Sequence, residues 1–230
     1  MWTVLGLTII FAFLFGVVQA EIDPETLRTL VKEVQILARQ RNVVDVCNPS
    51  HTINSDIYCK GPILEAVNLH SIFEDSKTFV DMPMKSDPKV VKQAFKDRFG
   101  NKPVEHLKPN ELREFLSDNF YPPGSELEEC DLDDWIEKPP ELLKISDPKL
   151  REWALELNAI WKSLCRRLKP GSDPSRHSLI TMPHEFIVPG GRFREFYYWD
   201  TYWITKGLIA CEMINTTKKM IANFVSIVDR

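Results

Sequence analysis

The sequence predicts a mainly α-helical protein, for two reasons. Several segments repeat apolar residues every three or four positions, which is the period of a helix, while strongly alternating runs are nearly absent. In addition, Asp-Pro pairs come directly before such segments at Asp23, Asp87 and Asp147. Asp can cap the free N–H groups of a first helical turn and Pro fits the first helical position, so each pair indicates where a helix begins.

These signals predict helices over residues 24–41, 61–73, 88–99 and 147–168, and further helical structure after Asp200. The pattern is clearest in 147–168, whose apolar residues form one stripe and should pack two tryptophans into a core. The stripe consists of Leu150, Trp153, Leu157, Trp161, Leu164 and Leu168.

The remaining segments carry weaker signals. Residues 75–84 are short and alternate in polarity, so we expect an extended connector or a short strand there. Residues 120–140 are rich in Pro and acidic side chains, which is typical of a solvated loop, and we assign them no chemistry. The pair Asp173-Pro174 stands in a turn-like context rather than before a helical repeat.

The composition restricts the class of partner. The chain of 230 residues is long enough for one domain with a sizeable core. Its net charge is -4 and it has no long basic run, so nucleic acid is not an expected partner, because binding to phosphates needs clustered Lys and Arg.

The first twenty residues resemble a secretory signal peptide. An apolar run ends in Val18 and Ala20, small residues at the positions that precede a cleavage site, and cleavage before Glu21 would leave residues 21–230 as the mature chain. The alternative is an uncleaved anchor, but the run is short for a membrane span. No other stretch is long and apolar enough to cross a membrane. We therefore expect a secreted protein.

Secretion changes the interpretation of the five cysteines. Cys47 and Cys59 enclose a short polar loop, and in an oxidising compartment they predict a local disulfide. A metal site would need His51 and a fourth ligand, and this spacing fits no zinc pattern. Cys165 and Cys211 lie in helical patterns and are expected to be small core residues. Cys130 lies in an acidic stretch. Because the number of cysteines is odd, at least one thiol has no partner within the chain.

A glycosylation sequon is also present. Asn215-Thr216-Thr217 matches the acceptor pattern, and a secreted chain with a solvated Asn215 would expose it to the glycosylation machinery.

The segment from Pro189 to Trp203, PGGRFREFYYWDTYW, is the densest in groups that recognise a polar ligand with an apolar face, and we call it the signature segment. Arg192 offers a fork of donors, Trp199 a wide apolar surface, and Asp200 an acceptor for hydroxyl groups. A sugar ring has an apolar face and a polar rim, so this combination suits a sugar.

The signature segment has two other interpretations. It could be an aromatic core in which Arg192 pairs with Glu195, and composition alone does not separate that reading from a sugar site. Glu195 and Asp200 could also form a catalytic pair. However, five extended residues span roughly 16 Å and no turn signal lies between them, whereas glycosidase carboxyl groups stand within about 10 Å. We reject that pair.

The signature segment resembles the first signature of the α,α-trehalases, P-G-G-R-F-x-E-x-Y-x-W-D-x-Y, and matches all ten of its fixed positions. Residues 75–84 and 147–168 are similar to the corresponding segments of animal secreted trehalases. The resemblance implies an (α/α)6 barrel that hydrolyses trehalose with inversion and without a metal or other cofactor. It also implies that Arg192, Trp199 and Asp200 bind substrate. Phe193 and Tyr197 would line the pocket.

The sequence departs from the family after Arg230. The family's general acid, an Asp, and its general base, a Glu, lie further downstream, so the resemblance places no catalytic residue in this chain. We therefore expect an incomplete barrel with exposed apolar faces, and no hydrolysis by residues 21–230 alone. The chain is then either part of a longer enzyme, which could carry a C-terminal membrane anchor, or a non-catalytic sugar-binding protein. A helical structural module is the third possibility.

Overall fold

The computed structural model describes Cys47 and residues 54–228. The signal peptide and the predicted helix over residues 24–41 lie outside the described residues. The helices are α1 (Ser55–Tyr58), α2 (Pro62–Leu69), α3 (Lys77–Val80), α4 (Pro88–Phe99), α5 (Pro109–Asn119), α6 (Pro140–Leu143), α7 (Pro148–Leu164), α8 (Tyr198–Ala210) and α9 (Ile214–Val228). Three short strands, β1 (Leu127–Glu129), β2 (Cys165–Leu168) and β3 (Phe186–Ile187), form one antiparallel sheet in the order β1-β2-β3. The predicted helical class is confirmed.

Helices α1 to α5 enclose the first of two hydrophobic clusters. The predicted periodicity of α4 is confirmed, because Val91, Phe95 and Phe99 all point into this cluster. The rings of Phe95 and Phe115 meet edge to face, with centroids 5.2 Å apart. Helix α2 buries Ile63, but it ends at Leu69, four residues before the predicted end at residue 73.

The second cluster lies under the sheet and helices α8 and α9, and it includes Phe186, Leu208 and Met220. Helix α7 docks onto α8 where Trp161 crosses Gly207. A Cβ atom at Gly207 would lie 2.8 Å from the Trp161 ring, so the close approach requires glycine here. The Trp161 Nε1–H group also donates a hydrogen bond to the Sγ atom of the buried Cys211, 3.4 Å away.

The prediction for residues 147–168 is wrong in two respects. Helix α7 ends at Leu164, and the following four residues form strand β2. The apolar stripe is also only half covered: Trp161 and Leu164 pack against the second cluster, whereas 58% of Trp153 is exposed and Leu150 and Leu157 are exposed as well. The residue of α7 that is buried is Asn158, whose side chain donates to the Ile136 carbonyl oxygen over 2.9 Å.

The acidic segment 120–140 is not the plain solvated loop that its composition predicts. It contains β1, which pairs with β2 so that two glutamates oppose two arginines, and Arg167 Nε donates to Glu128 over 2.7 Å. One register position further on, Cys130 and Cys165 form a disulfide. Cys165 is a buried core residue as predicted, but it lies in a strand instead of a helix and takes part in a disulfide that was not predicted. Charge complementarity between the LEEC and CRRL segments was the sequence signal for this pairing.

The Asp-Pro pairs at Asp87 and Asp147 predicted helix starts correctly, but only one of them supplies the predicted capping bond. Asp147 accepts hydrogen bonds from the backbone N–H groups of Lys149 and Leu150, at 2.8 and 3.0 Å. Helix α4 does begin at Pro88, yet the carboxylate of Asp87 pairs with Arg176 instead of capping the helix. A long-range ion pair with Arg176 thus takes the place of the local capping bond at Asp87.

Residues 75–84 also differ from the expectation of an extended connector. They contain the single-turn helix α3, whose Phe79 is completely buried in the first cluster, and only Met84 makes a strand-like bridge. Among the residues that the structure describes, no helix is both long enough and apolar enough to cross a membrane.

The predicted disulfide between Cys47 and Cys59 is confirmed, and we predict that the disulfide between Cys130 and Cys165 stabilises the fold more. The two bridges join residues 35 and 12 positions apart, and the longer loop removes more entropy from the unfolded chain. Replacing Cys130 and Cys165 with Ser should lower the free energy of unfolding by about 4 kcal/mol, compared with about 3 kcal/mol for the shorter loop.

Urea denaturation of the two double variants measures both values. Equal stability of the Cys130→Ser/Cys165→Ser variant and the wild type would contradict the prediction.

Candidate functional site

A tight turn presents Arg192 at the surface. Gly190 and Phe193 exchange backbone hydrogen bonds across it, at 3.1 and 3.4 Å. Gly191 occupies the first central position with a φ of 58°, which other residues rarely adopt, so the glycine permits the turn. Arg192 follows at the second central position, and about half of its side chain is exposed.

The Arg192 guanidinium is held by Asp75, which is distant in sequence and lies just before α3. Arg192 donates from Nε to Asp75 Oδ2 and from Nη2 to Asp75 Oδ1, which makes a bidentate pair. These hydrogen bonds lower the pKa of Asp75 to about 2, and the same pairing raises the pKa of Arg192. The alternative core interpretation, in which Arg192 pairs with Glu195, is therefore wrong.

Two of the predicted aromatic residues lie beside this arginine. The guanidinium carbon of Arg192 lies 5.1 Å from the ring centroid of Phe193, and that ring meets the ring of Tyr197 edge to face at 5.7 Å. Burial raises the pKa of the Tyr197 phenol, and the charge of Glu195 raises it further. The structure thus brings Arg192, Phe193 and Tyr197 together.

Trp199 and Asp200 lie on the first turn of α8. Trp199 is 71% exposed and packs against Trp203, with ring centroids 5.9 Å apart, rather than against Phe193 or Tyr197. It also lines an apolar cavity of about 390 Å³ together with Tyr198, Tyr202 and Phe224. Asp200 is half-buried. The five predicted site residues therefore form two groups, one on the turn and one at the start of α8.

Four charged side chains lie behind the turn, and we call them the junction cluster: Lys77, Asp81, Arg194 and Glu195. The carboxylate of Asp81 is 2% exposed and accepts hydrogen bonds from Lys77 and from Arg194, the latter over 3.2 Å. Lys77 also lies 3.5 Å from Glu195. Lys77 and Asp81 were not predicted as site residues, although the family resemblance of residues 75–84 was a signal for them.

The junction cluster changes how its members ionise. Burial lowers the pKa of Lys77, but the hydrogen bond with Asp81 and the charge of Glu195 outweigh it, so the pKa lies above its ordinary value. Burial raises the pKa of Glu195, and the charge of Asp81 adds to this effect. Lys77 is thus a stable cation between two carboxyl groups.

A further carboxyl group lies next to this cluster without a cation of its own. Glu126 is buried, and its Oε2 atom has no hydrogen-bond partner among the described residues. Burial raises its pKa to about 7, and the charges of Asp81 and Glu195 act in the same direction. Glu126 therefore exchanges its proton close to neutral pH.

The glycosylation sequon lies at the start of α9. Asn215 is exposed, whereas Thr217 is buried and donates from its hydroxyl group to the Met213 carbonyl oxygen over 2.8 Å. The acceptor asparagine is thus solvated as expected, and its glycosylation stays a prediction.

These features describe a mainly helical protein whose exposed arginine and aromatic side chains suit a polyhydroxylated ligand. The sequence profile of the family described as Trehalase matches residues 71–230. Similar proteins named Trehalase include those of Apis mellifera, 47% identical over 181 residues, and Oryctolagus cuniculus, 46% identical over 177 residues. The Homo sapiens protein of the same name is 45% identical over 177 residues. The chain belongs to the trehalase family.

The matches cover most of this chain but a smaller part of the relatives. Each of these three alignments includes 76% of this chain, against 28% of the Apis mellifera protein and 30% of the two mammalian ones. The chain thus spans about three tenths of the length of these relatives. Both cores and the signature segment lie largely within the matched residues.

We predict that Glu126 makes the stability of the protein depend on pH. The unfolded chain releases this proton near pH 4.5 and the folded chain near pH 7. The folded state therefore binds the extra proton between these values, and stability falls as the pH rises through them. The loss is at most about 3 kcal/mol, because one pKa unit corresponds to about 1.4 kcal/mol.

Glu126→Gln should remove this loss, so that the variant matches the wild type near pH 5 and exceeds its stability near pH 8. Urea denaturation at the two pH values measures the difference, with Glu152→Gln on the exposed face of α7 as the control. A difference between Glu126→Gln and wild type that does not change with pH would contradict the assignment.

Proposed function

We propose that this chain forms part of a secreted α,α-trehalase, a glycoside hydrolase that splits trehalose into two glucose molecules. The observation that supports this most strongly is the complete match of the signature segment to the family pattern, on a turn that exposes Arg192. The relatives' name, Trehalase, is consistent with this substrate. The reaction needs no metal or organic cofactor.

The proposed sugar site combines both groups of the signature segment. Arg192 donates to sugar hydroxyl groups, and Asp200 accepts from them. Trp199 stacks on the apolar face of a glucose ring, and Phe193 and Tyr197 line the pocket. Support comes from exposure, since Arg192, Phe193 and Trp199 all present substantial surface to solvent.

We propose that in the complete enzyme this chain supplies helices of an (α/α)6 barrel, and that the barrel hydrolyses trehalose with inversion. The exposed apolar residues of α7 and α9 fit this arrangement, because a barrel would cover them with further helices. They include Leu150, Trp153, Leu157, Ile160, Ile221 and Val225.

The carboxyl groups near the signature segment do not offer an acid and base pair. Asp75 and Asp81 accept hydrogen bonds from arginine or lysine, and Glu195 faces Lys77. Glu126 has no cation partner, but its side chain is buried instead of facing a ligand at the surface. An inverting hydrolase needs one free carboxyl group to protonate the leaving oxygen and another to activate water. We therefore propose that the general acid and base are not supplied by this chain, which supports the alternative of a non-catalytic sugar-binding protein if it acts alone.

We predict that substitutions in the signature segment weaken trehalose binding without unfolding the protein. In the polypeptide expressed from the complete reading frame, Arg192→Ala or Asp200→Ala should raise the Kd for trehalose about 10- to 100-fold, as expected for lost hydrogen bonds to charged groups. Trp199→Ala should also weaken binding. Isothermal titration calorimetry measures the affinity, and circular dichroism checks the fold.

Tyr121→Ala is the matched control, because Tyr121 is also an exposed aromatic residue but lies outside the signature segment and outside α7 and α9. If Arg192→Ala and Asp200→Ala bind trehalose as tightly as the wild type does, the helical structural module becomes the better interpretation.

We also predict that residues 21–230 alone release no glucose from trehalose, because the acid and base are missing. A coupled glucose assay on the purified chain tests this, and detectable turnover would refute it. Sequencing the transcript beyond Arg230 separates the other two possibilities: continuation into family motifs indicates a longer enzyme, and a stop codon favours the non-catalytic binder.

A further inference from the structure

Asp75 lies outside the signature segment but is bound to its most exposed charged side chain. The bidentate pair connects residues 117 positions apart in the chain, so only the fold brings them together. A planar guanidinium that pairs through Nε and Nη2 has lost its rotational freedom around the contact. The plane of the Arg192 side chain is therefore set by the Asp75 carboxylate.

The pair leaves part of the guanidinium available. An arginine has five N–H donors, and the two hydrogen bonds to Asp75 use two of them. The remaining three, on Nη1 and Nη2, have no acceptor among the hydrogen bonds of the described residues. Because the pair lies at the surface, with Asp75 33% and Arg192 49% exposed, these donors can bind hydroxyl groups of a ligand.

Asp75 is itself fixed by the backbone. Its Oδ1 atom accepts a hydrogen bond from the N–H group of Lys77 over 2.9 Å, at the first residue of α3. Helix α3 is in turn anchored by the buried Phe79 and by the ion pairs of Asp81. The orientation of Arg192 is thus connected, through one carboxylate, to the rigid first core.

A stabilising role explains the pair less well. Both side chains are partly exposed, and ion pairs at the surface add little to stability because water screens them. The pair also joins the turn to α3 at a point where the buried Asp81 and Arg194 already connect the same two segments. Its distinctive effect is the orientation of the guanidinium.

We propose that Asp75 is a positioning residue for sugar recognition, which holds Arg192 so that its three remaining donors face the hydroxyl groups of trehalose. This inference rests on the proposed function, in which Arg192 binds the sugar. Asp75 acts through Arg192 and is not proposed to contact the substrate.

The test uses the polypeptide expressed from the complete reading frame. Asp75→Asn removes the charge and one acceptor at nearly constant size, and it should raise the Kd for trehalose about tenfold, since misplacing a binding group by about 1 Å is costly. The melting temperature should change by no more than about 2 °C. If the protein turns trehalose over, KM should rise more than kcat falls.

Two further variants keep the test decisive. Asp75→Ser retains a short acceptor for the Lys77 N–H group but cannot form the bidentate pair, so it should fold and lose the same affinity. Asp118→Asn is the matched control, since Asp118 is an exposed carboxylate paired with Arg98 away from the signature segment. Its affinity for trehalose should equal that of the wild type.

A double-mutant cycle separates positioning from general stabilisation. In an Arg192→Ala background, Asp75→Asn should weaken binding no further, because Asp75 has nothing left to orient. An equal additional loss in that background, or a wild-type Kd in Asp75→Asn and Asp75→Ser, would overturn the inference. A wild-type protein that does not bind trehalose at all would overturn the proposed function first, and this inference with it.

Discussion

The buried carboxylate of Asp81 is the constraint around which the candidate site is built. A carboxylate that is 2% exposed is stable only when cations and donors surround it, and Lys77 and Arg194 meet that requirement. One of these partners comes from the same helical turn and the other from the signature segment. The need to neutralise Asp81 therefore connects α3 to the residues that follow Arg192. The N–H group of Gly124 also donates a hydrogen bond to the backbone carbonyl oxygen of Asp81.

The position of the exposed turn depends on Asp81 and on Asp75. The turn at Gly190–Phe193 is exposed, yet it has little freedom, because Asp75 holds its tip and Asp81 holds its base. A preorganised cation beside two aromatic rings needs less ordering when it binds a neutral polyol than a free arginine would. Burial raises the pKa of Glu126 to about 7, and the two carboxyl groups of the junction cluster, Asp81 and Glu195, add to this effect.

Hydrogen bonds connect the segments that carry the two hydrophobic cores. These hydrogen bonds join residues that are distant in the sequence, so the sequence does not reveal them. In one of them the Met84 N–H group donates to the Arg176 carbonyl oxygen over 2.7 Å. The disulfide between Cys130 and Cys165 fixes the strand pair β1–β2 next to the second core. Apolar side chains of α7 meanwhile remain at the surface, where the pattern alone would have placed a core.

The sequence by itself determined the helical class, the starts of α4 and α7 and the family, because these depend on neighbouring residues and on a contiguous motif. Only the tertiary structure decided which partner each charge takes and which helix face is buried. Asp87 pairs with Arg176 instead of capping α4, and Arg192 pairs with Asp75 instead of Glu195. Helix α7 buries Asn158, whereas Trp153 is exposed. Periodicity identifies an apolar face, but burial depends on which distant residues cover that face. Ion pairs over 117 positions likewise exist only after the chain has folded.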